Sequence, residues 1–448
     1  MGSKNNYKSA FAFLTILFFM WGFITVLVDA LVPRLKDVFE LTYGQSIMVQ
    51  FAFFGAFFCF AIPSSFLLEK IGYQKGIVVG LSVMGLACLL FYPAASIREF
   101  WIFITAFFTL AAGITLLQVA ANPYVTLLGD EESASSRLNL SQAFNSFGTL
   151  LAPIAGAVFL LSDTVLDANS INQLSEAAKV EYYASEALSV QQPFVIIALV
   201  LFALAAIFGF KSLPSLIQQA PKGGYAQLFK HKKFLLGVLA IFMYVGAEVS
   251  IGSFLVNYFQ ELQVIDTIKN SPFLSNLSSF LLIGKDITDV DANAVLGSFV
   301  TLYWGGAMVG RFVGAFLMRF ISSGKLLMIF GLLASTMIVI SVTASGITAM
   351  FAILAVGLFN SIMFPTIFSL ALDGLDNLKA QASGLLVMAI VGGAFIPKIT
   401  GTIADTFGTD ANGLSTGSGL SIAFLCLVLC YCYIAFFGAT KRKVAVAA

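Results

Sequence analysis

Apolar residues run along this chain in long, almost unbroken blocks, each closed by a short polar break. A helix needs about 20 apolar residues to cross a bilayer. Blocks of that kind fall at 10–33, 45–68, 76–96, 100–128, 138–161, 193–211, 234–259, 293–318, 325–345, 347–372, 380–404 and 419–438. Inside a bilayer every backbone polar group needs an internal partner, so these twelve segments are predicted to be helices. A membrane barrel would alternate polar and apolar residues, and these blocks do not. Two breaks are long, 162–192 and 260–292. The second holds an apolar stretch, Phe273–Ile283, too short to span, and both are expected to be surface excursions with short helices.

The blocks fall into two sets of six about a polar segment. This predicts a bundle at 1–211, a cytoplasmic linker at 212–233 and a second bundle at 234–448. The halves echo each other. Pro123 ends the fourth span, acidic residues Asp130, Glu131 and Glu132 follow, and Pro153 sits in the fifth. In the second half Pro365 is followed by Asp373 and Asp376, then by Pro397. The two proline separations are 30 and 32 residues. The polar loop Glu69–Lys75 is matched in position by Met318–Lys325. Transporters are often built from such repeats, with the substrate site near the midplane.

Twelve spans put both termini on one face. With that face cytoplasmic, the inside segments carry sixteen Lys and Arg residues and the outside segments six. The positive-inside bias therefore predicts cytoplasmic termini in a cell inner membrane. The first block follows a short polar start and lacks a small-residue cleavage site, so it reads as a span and not a removed signal peptide.

Composition agrees with lipid as the solvent. Of 448 residues, 59% are hydrophobic and 10% charged, against about a quarter charged in soluble domains. The formal net charge of +1 gives no field for nucleic acid. The five cysteines form no disulfide or metal framework: Cys59 and Cys88 are isolated, and Cys426, Cys430 and Cys432 share one apolar span. The single His231 lies in a lysine-rich loop. No phosphate-binding Gly-x-x-x-x-Gly-Lys-Ser/Thr loop occurs, and no zinc signature or nucleophile–base set is present. An enzyme is not expected, nor any cofactor beyond a coupling ion.

Ionisable groups inside spans are costly and usually functional. Asp29 lies in the outer third of the first span. Trp21, Thr25 and Asp29 recur every fourth residue, so an aromatic plane, a hydroxyl and a carboxylate share one face. Sugars suit such a face, with C–H surfaces on rings and hydroxyls on paired donors and acceptors. Alternatively, Asp29 snorkels toward Arg34 or Lys36. Glu248 sits near the middle of the seventh span, too deep to snorkel, one turn after Tyr244. It can load a proton or neutralise a cation, or it can form a static pair with Arg311 or Lys398, the two cations within spans.

Amides form two further stripes. Thr115, Gln118 and Asn122 lie on the fourth span, and Gln142, Asn145 and Thr149 on the fifth, with Asn360 as a counterpart in the tenth. Uncharged donors and acceptors of this kind are what a neutral polyol requires. They can equally serve as interhelical hydrogen bonds, worth about 1 kcal/mol each. Gly305, Gly306, Gly310 and Gly314, and the pair Gly392–Gly393, read as close helix packing.

These segments resemble a known family. Phe18–Pro33, Gln118–Tyr124 (QVAANPY), Arg137–Gly148 (RLNLSQAFNSFG), Tyr244–Leu255 and Phe364–Leu370 are similar to the fucose permease and glucose/galactose transporter family of the major facilitator superfamily. The likeness covers nearly all spans and is nearer to the glucose/galactose branch, with N-acetylglucosamine permeases close by. It implies an all-α integral membrane fold of two pseudosymmetric six-helix bundles, alternating access and sugar uptake. In the family's fucose–proton symporter, carboxylates stand at the places of Asp29 and Gln118. Asp29 matches and Gln118 departs, while Glu248 stands where that member has an amide. The carboxylate has moved from the fourth span to the seventh, which leaves room for sodium coupling. Arg311 matches an arginine of the family's eighth span.

The expected function is cation-coupled symport, with H+ or Na+, of a hexose such as glucose, galactose or an amino sugar. The alternatives are an uncoupled facilitator or a fucose-type proton symporter. Sugar is expected on Trp21, Thr25, Gln118, Asn122, Gln142, Asn145 and Asn360. Cation coupling is assigned to Asp29 and Glu248, with Arg311 and Lys398 as supporting charge and Na+ conceivable near either acid. The expected partners are a small-molecule sugar and the lipid bilayer, and the expected functional form is a monomer.

Overall fold

The computed structural model describes residues 2–39, 43–97, 99–159, 175–211, 213–216, 224–282, 284–288, 290–408 and 418–441. Those residues are almost wholly helical. Six long helices precede the linker: α1 (Gly2–Phe39), α2 (Tyr43–Ile71), α3 (Tyr73–Ile97), α4 (Phe100–Leu127), α5 (Ala134–Phe159) and α6 (Glu176–Phe210). A short α7 (Gly224–Leu228) lies in the linker. Then come α8 (Lys232–Glu261), α9 (Ile265–Asn270), α10 (Pro272–Leu281), α11 (Ala292–Leu317), α12 (Ser323–Thr343), α13 (Gly346–Asn360), α14 (Met363–Leu372), α15 (Lys379–Met388), α16 (Gly392–Gly408) and α17 (Gly419–Thr440).

Eleven stretches among the described residues are long and apolar enough to cross a membrane. The remaining expected span, 138–161, overlaps α5, whose side chains are described only as far as Ala152. The excursion 260–292 contains α9 and α10, short helices as expected. The excursion 162–192 is partly helix: α6 begins at Glu176, capped by the Ser175 hydroxyl, which accepts from the Ala178 N–H. Residues 162–174 of that excursion lie outside the described residues, as does most of 212–223.

Prolines shape the spans. A proline has no N–H, so the carbonyl four residues earlier loses its helical donor. Pro365 follows directly on the break between α13 and α14 and leaves the Ser361 carbonyl free for another partner. Pro123 does the same for the Val119 carbonyl of α4. The eleventh span is also interrupted: α15 and α16 are separated by a 3-10 turn at Ala389–Val391, beside Gly392.

Contacts divide the chain into two compact units. The first comprises Met1–Gly129, Phe144–Ala226 and Leu375–Met388; the second comprises Asp130–Ala143, Gln227–Gly374 and Ala389–Ala448. Each therefore includes a segment that lies far away in sequence. In the first unit α3 packs on α4 and α6, α2 on α4, and α15 on α2 and α4. Ser383 of α15 donates to the Val119 carbonyl that Pro123 leaves free, at 2.9 Å. Tyr225 of α7 hydrogen-bonds Ser65 of α2 and lies against the Phe66 ring. Tyr124 of α4 donates to the Pro214 carbonyl at 2.7 Å, tying the start of the linker to the same unit.

In the second unit α12 packs on α13 and α17, α11 on α13, and α8 on α14, α16 and α17. Three of the four glycines of the eighth span make the expected close approaches. Any Cβ on Gly306, Gly310 or Gly314 would meet Leu358, Ser361 or Ile362, while Gly305 faces open space. The segment 130–143 is bonded into this unit. Asn139 donates to the Thr366 hydroxyl at 3.0 Å, Ser135 pairs with Ser369 at 2.6 Å, and Ser136 donates to the Ala315 carbonyl at 2.8 Å.

Candidate functional site

The first unit carries one polar and aromatic face, built mainly by α1, α4 and α5. Trp21 is almost fully buried, with its ring set edge-on to Phe18 at 5.4 Å. Asn145 of α5 donates to the Phe18 carbonyl at 2.9 Å. The two helices come this close because Gly22 lies against Asn145, and Gly148 against the Phe19 backbone. A side chain at either glycine would drive the helices apart. One turn after Trp21, the Thr25 hydroxyl oxygen is buried and has no hydrogen-bond partner among the described residues. On α4, Asn122 is fully buried and Gln118 half-buried, while the Thr115 hydroxyl is spent on its own helix, donating to the Ala111 carbonyl at 2.7 Å. Asp29 falls on α1, but its side chain lies outside those described, as do those of Arg34 and Lys36.

The second unit carries the other face, built by α8, α11, the α13–α14 break and the start of α5. Glu248 is half-buried, and its Oε1 is buried without a hydrogen-bond partner among the described residues. Tyr244, one turn earlier, faces the same carboxyl group. The cation acting on Glu248 is Arg311. Lys398, the other cation considered for that role, is an exposed side chain on α16.

Arg311 is held by backbone. Its Nε donates to the Ser361 carbonyl at 3.0 Å, and its Nη1 reaches the Gln142 carbonyl at 3.4 Å. The first acceptor is available because Pro365 supplies no N–H to it. Gln142 itself is buried, 6% exposed. The residue before Ser361 is Asn360, fully buried, whose Nδ2 donates to the Tyr303 hydroxyl at 2.7 Å. Tyr303 in turn reaches the backbone carbonyl of Glu248 at 3.4 Å. Asn360 Oδ1 is a second buried acceptor without a partner among the described residues, and Tyr431 of α17 faces the same amide.

Tyr303 thus joins Asn360 to the Glu248 backbone, and Arg311 is fastened to the next residue, Ser361. Sequence reasoning had singled out Glu248, Arg311 and Asn360 but neither Tyr303 nor Tyr431. Both tyrosines are fully buried, whereas a tyrosine in an apolar span ordinarily reads as a residue of the membrane interface. One signal for Tyr303 was present: Gly357 packs directly on its backbone, and small residues mark helix approaches.

What these faces can do is bind an uncharged, hydroxyl-rich solute. They offer ring planes, amides and unfilled acceptors, with a single carboxylate–guanidinium couple on the described side chains of the second. With its two helical units, interrupted spans and buried polar faces, the architecture is that of a polytopic membrane transporter. The sequence profile of the major facilitator superfamily matches residues 10–397, and the chain belongs to that superfamily. It is 46% identical over 446 residues to a glucose/galactose transporter of Brucella abortus biovar 1 (strain 9-941), covering 98% of this chain and 96% of that one. It is 33% identical to the L-fucose-proton symporter of Escherichia coli K12 over 421 residues, covering 91% and 89%. Among solved structures, the E. coli fucose:proton symporter matches with a TM-score of 0.84 at 29% identity, covering 98% of this chain and all of that one.

Proposed function

We propose that the chain is a secondary active sugar transporter, moving a hexose such as glucose, galactose or an amino sugar together with H+ or Na+. The observation that carries this reading is the set of buried oxygens without partners, Thr25 Oγ1, Asn360 Oδ1 and Glu248 Oε1, on faces lined with rings and amides. Buried acceptors are costly to leave unmade, and a polyol supplies hydroxyl donors to them. The names of its relatives point to the same class of solute.

In this reading the sugar contacts are made by Trp21, Thr25, Gln118, Asn122, Gln142, Asn145 and Asn360. Asp29 and Glu248 sense the coupling cation. Neutralising a carboxylate lets the loaded transporter reorient, because a bare charge is costly within the membrane core. Coupling then resides in different affinities of the two facing states for sugar and cation. Both termini are cytoplasmic, the membrane is the inner one, and a monomer suffices.

The test is uptake into proteoliposomes across a panel of hexoses and amino sugars, with proton and sodium gradients imposed separately. Accumulation above the outside concentration under one of the two gradients is the expected result. Equilibration without accumulation under either would make the protein a facilitator. The Asp29→Asn variant is expected to lose accumulation yet keep sugar exchange; full accumulation by that variant would remove Asp29 from the mechanism.

A further inference from the structure

Between the spans α8 and α11 the chain makes an excursion that the transport reading leaves without a task. Its main element is α10. Ser271 caps it, accepting from the Leu274 N–H, and Pro272 opens its first turn. One side of α10 is fastened. Leu274 and Ser278 are buried, and the Ser278 hydroxyl pairs with Ser298 of α11 at 3.1 Å. The loop that follows is closed back on the same helix, with Ser279 donating to the Lys285 carbonyl at 2.7 Å.

The other side is uncovered. Phe273 is 71% exposed and Phe280 78% exposed. Seven residues apart, they share one helix face, with Leu277 between them. Two bare phenylalanines on a fixed helix are unusual on a surface that meets water. Exposed lysines stand at both ends of the element, Lys269 and Lys285. The neighbouring carboxylates are Asp266 and Asp286, also exposed; Asp286 is engaged by the Thr288 N–H and hydroxyl, which hold its carboxyl below the usual range.

We infer that α10 is an interfacial helix whose Phe273–Leu277–Phe280 face lies in the lipid surface of the membrane leaflet where α8 ends and α11 begins. Three features select lipid as the occupant. The helix is joined to a membrane span on each side by ten residues, 262–271 and 282–291. It is pinned within the first two turns of α11 by the Ser278–Ser298 bond, and so is held at the end of that span. An apolar face flanked by lysines is the composition of helices that lie in the headgroup boundary. The consequence for transport is an anchor: the outer ends of α8 and α11 are held to the leaflet beside the span that carries Glu248. The inference rests on the membrane fold and not on the identity of the solute.

The experiment uses the full chain with its five native cysteines replaced, reconstituted in phosphatidylcholine vesicles. Single cysteines from Phe273→Cys, Phe280→Cys and, as an exposed control, Lys285→Cys are labelled with bimane. Emission from positions 273 and 280 is expected to be largely lost when the lipid is brominated and to resist aqueous iodide; the control should do the reverse. Iodide quenching at 273 and 280 equal to the control overturns the proposal. So does insensitivity to both quenchers, which would mean that protein, such as a second copy, covers the face. If the labelled variants fail to assemble, a photoactivatable phospholipid is used on the native chain. Lipid adducts on the 272–281 segment are expected, and their absence there overturns the proposal as well.

Discussion

At the scale of single residues, Asn360 and Glu248 invite opposite experiments. Asn360 spends its amide on the Tyr303 hydroxyl and keeps its oxygen unfilled. Asn360→Ala is expected to lower stability by about 1 kcal/mol, the worth of one hydrogen bond between membrane helices, and to weaken sugar binding more than that. Thermal unfolding with and without sugar separates the two, since loss of stability with undiminished protection by sugar would leave Asn360 outside the site. Glu248→Gln keeps shape and hydrogen bonding while removing charge. It is expected to spare exchange and to reduce gradient-driven accumulation at least about fivefold, the low end of ordinary coupling energies. Equal accumulation in the variant would make Glu248 a structural partner of Arg311. The acids, amides and Trp21 were legible in the sequence because polar groups stand out in apolar spans. Tyr303 and Tyr431 were not, because the same side chain serves both the interface and a buried network, and only contacts tell the two apart.

At the scale of elements, hydropathy located the spans well and their interruptions poorly. A window of about 20 residues averages over a break, so the tenth span read as one helix although it is α13 and α14. Pro365 was noted as half of a repeat; its physical effect is the release of the Ser361 carbonyl to Arg311. The start of α6 was missed for the converse reason. Glu176, Lys179 and Glu181 make that stretch too polar to read as span, yet a Ser cap suffices to begin a helix there. Restoring an N–H by Pro365→Ala is expected to straighten the break and let the helix compete for Ser361. Melting temperature should hold or rise while initial uptake rate falls. Unchanged uptake would show that the break has no part in transport.

At the scale of the whole molecule, the boundaries at 211 and 234 describe the order of the chain, whereas the compact units exchange segments 130–143 and 375–388. Hydropathy carries no trace of this exchange, because the partners of Ser383, Asn139 and Ser135 are distant in sequence. Each half expressed alone would therefore lack a piece of its own packing. Separate production of 1–216 and 224–448 is expected to yield little folded protein, and co-production to restore both folding and uptake. Full stability of either fragment alone would show the exchanged pieces to be dispensable.

The carbonyls of Val119 and Ser361 share a property that follows from their prolines. An ordinary helical carbonyl already has a backbone donor, so an added side-chain bond is secondary. These two have no such donor, and Ser383 and Arg311 are their donors among the described contacts. When such a donor leaves, no helical turn need unwind and a water molecule can take its place. A protein that must repeat the same motion many times a second gains from fastenings of this sort, which come undone and close again with the helices around them intact.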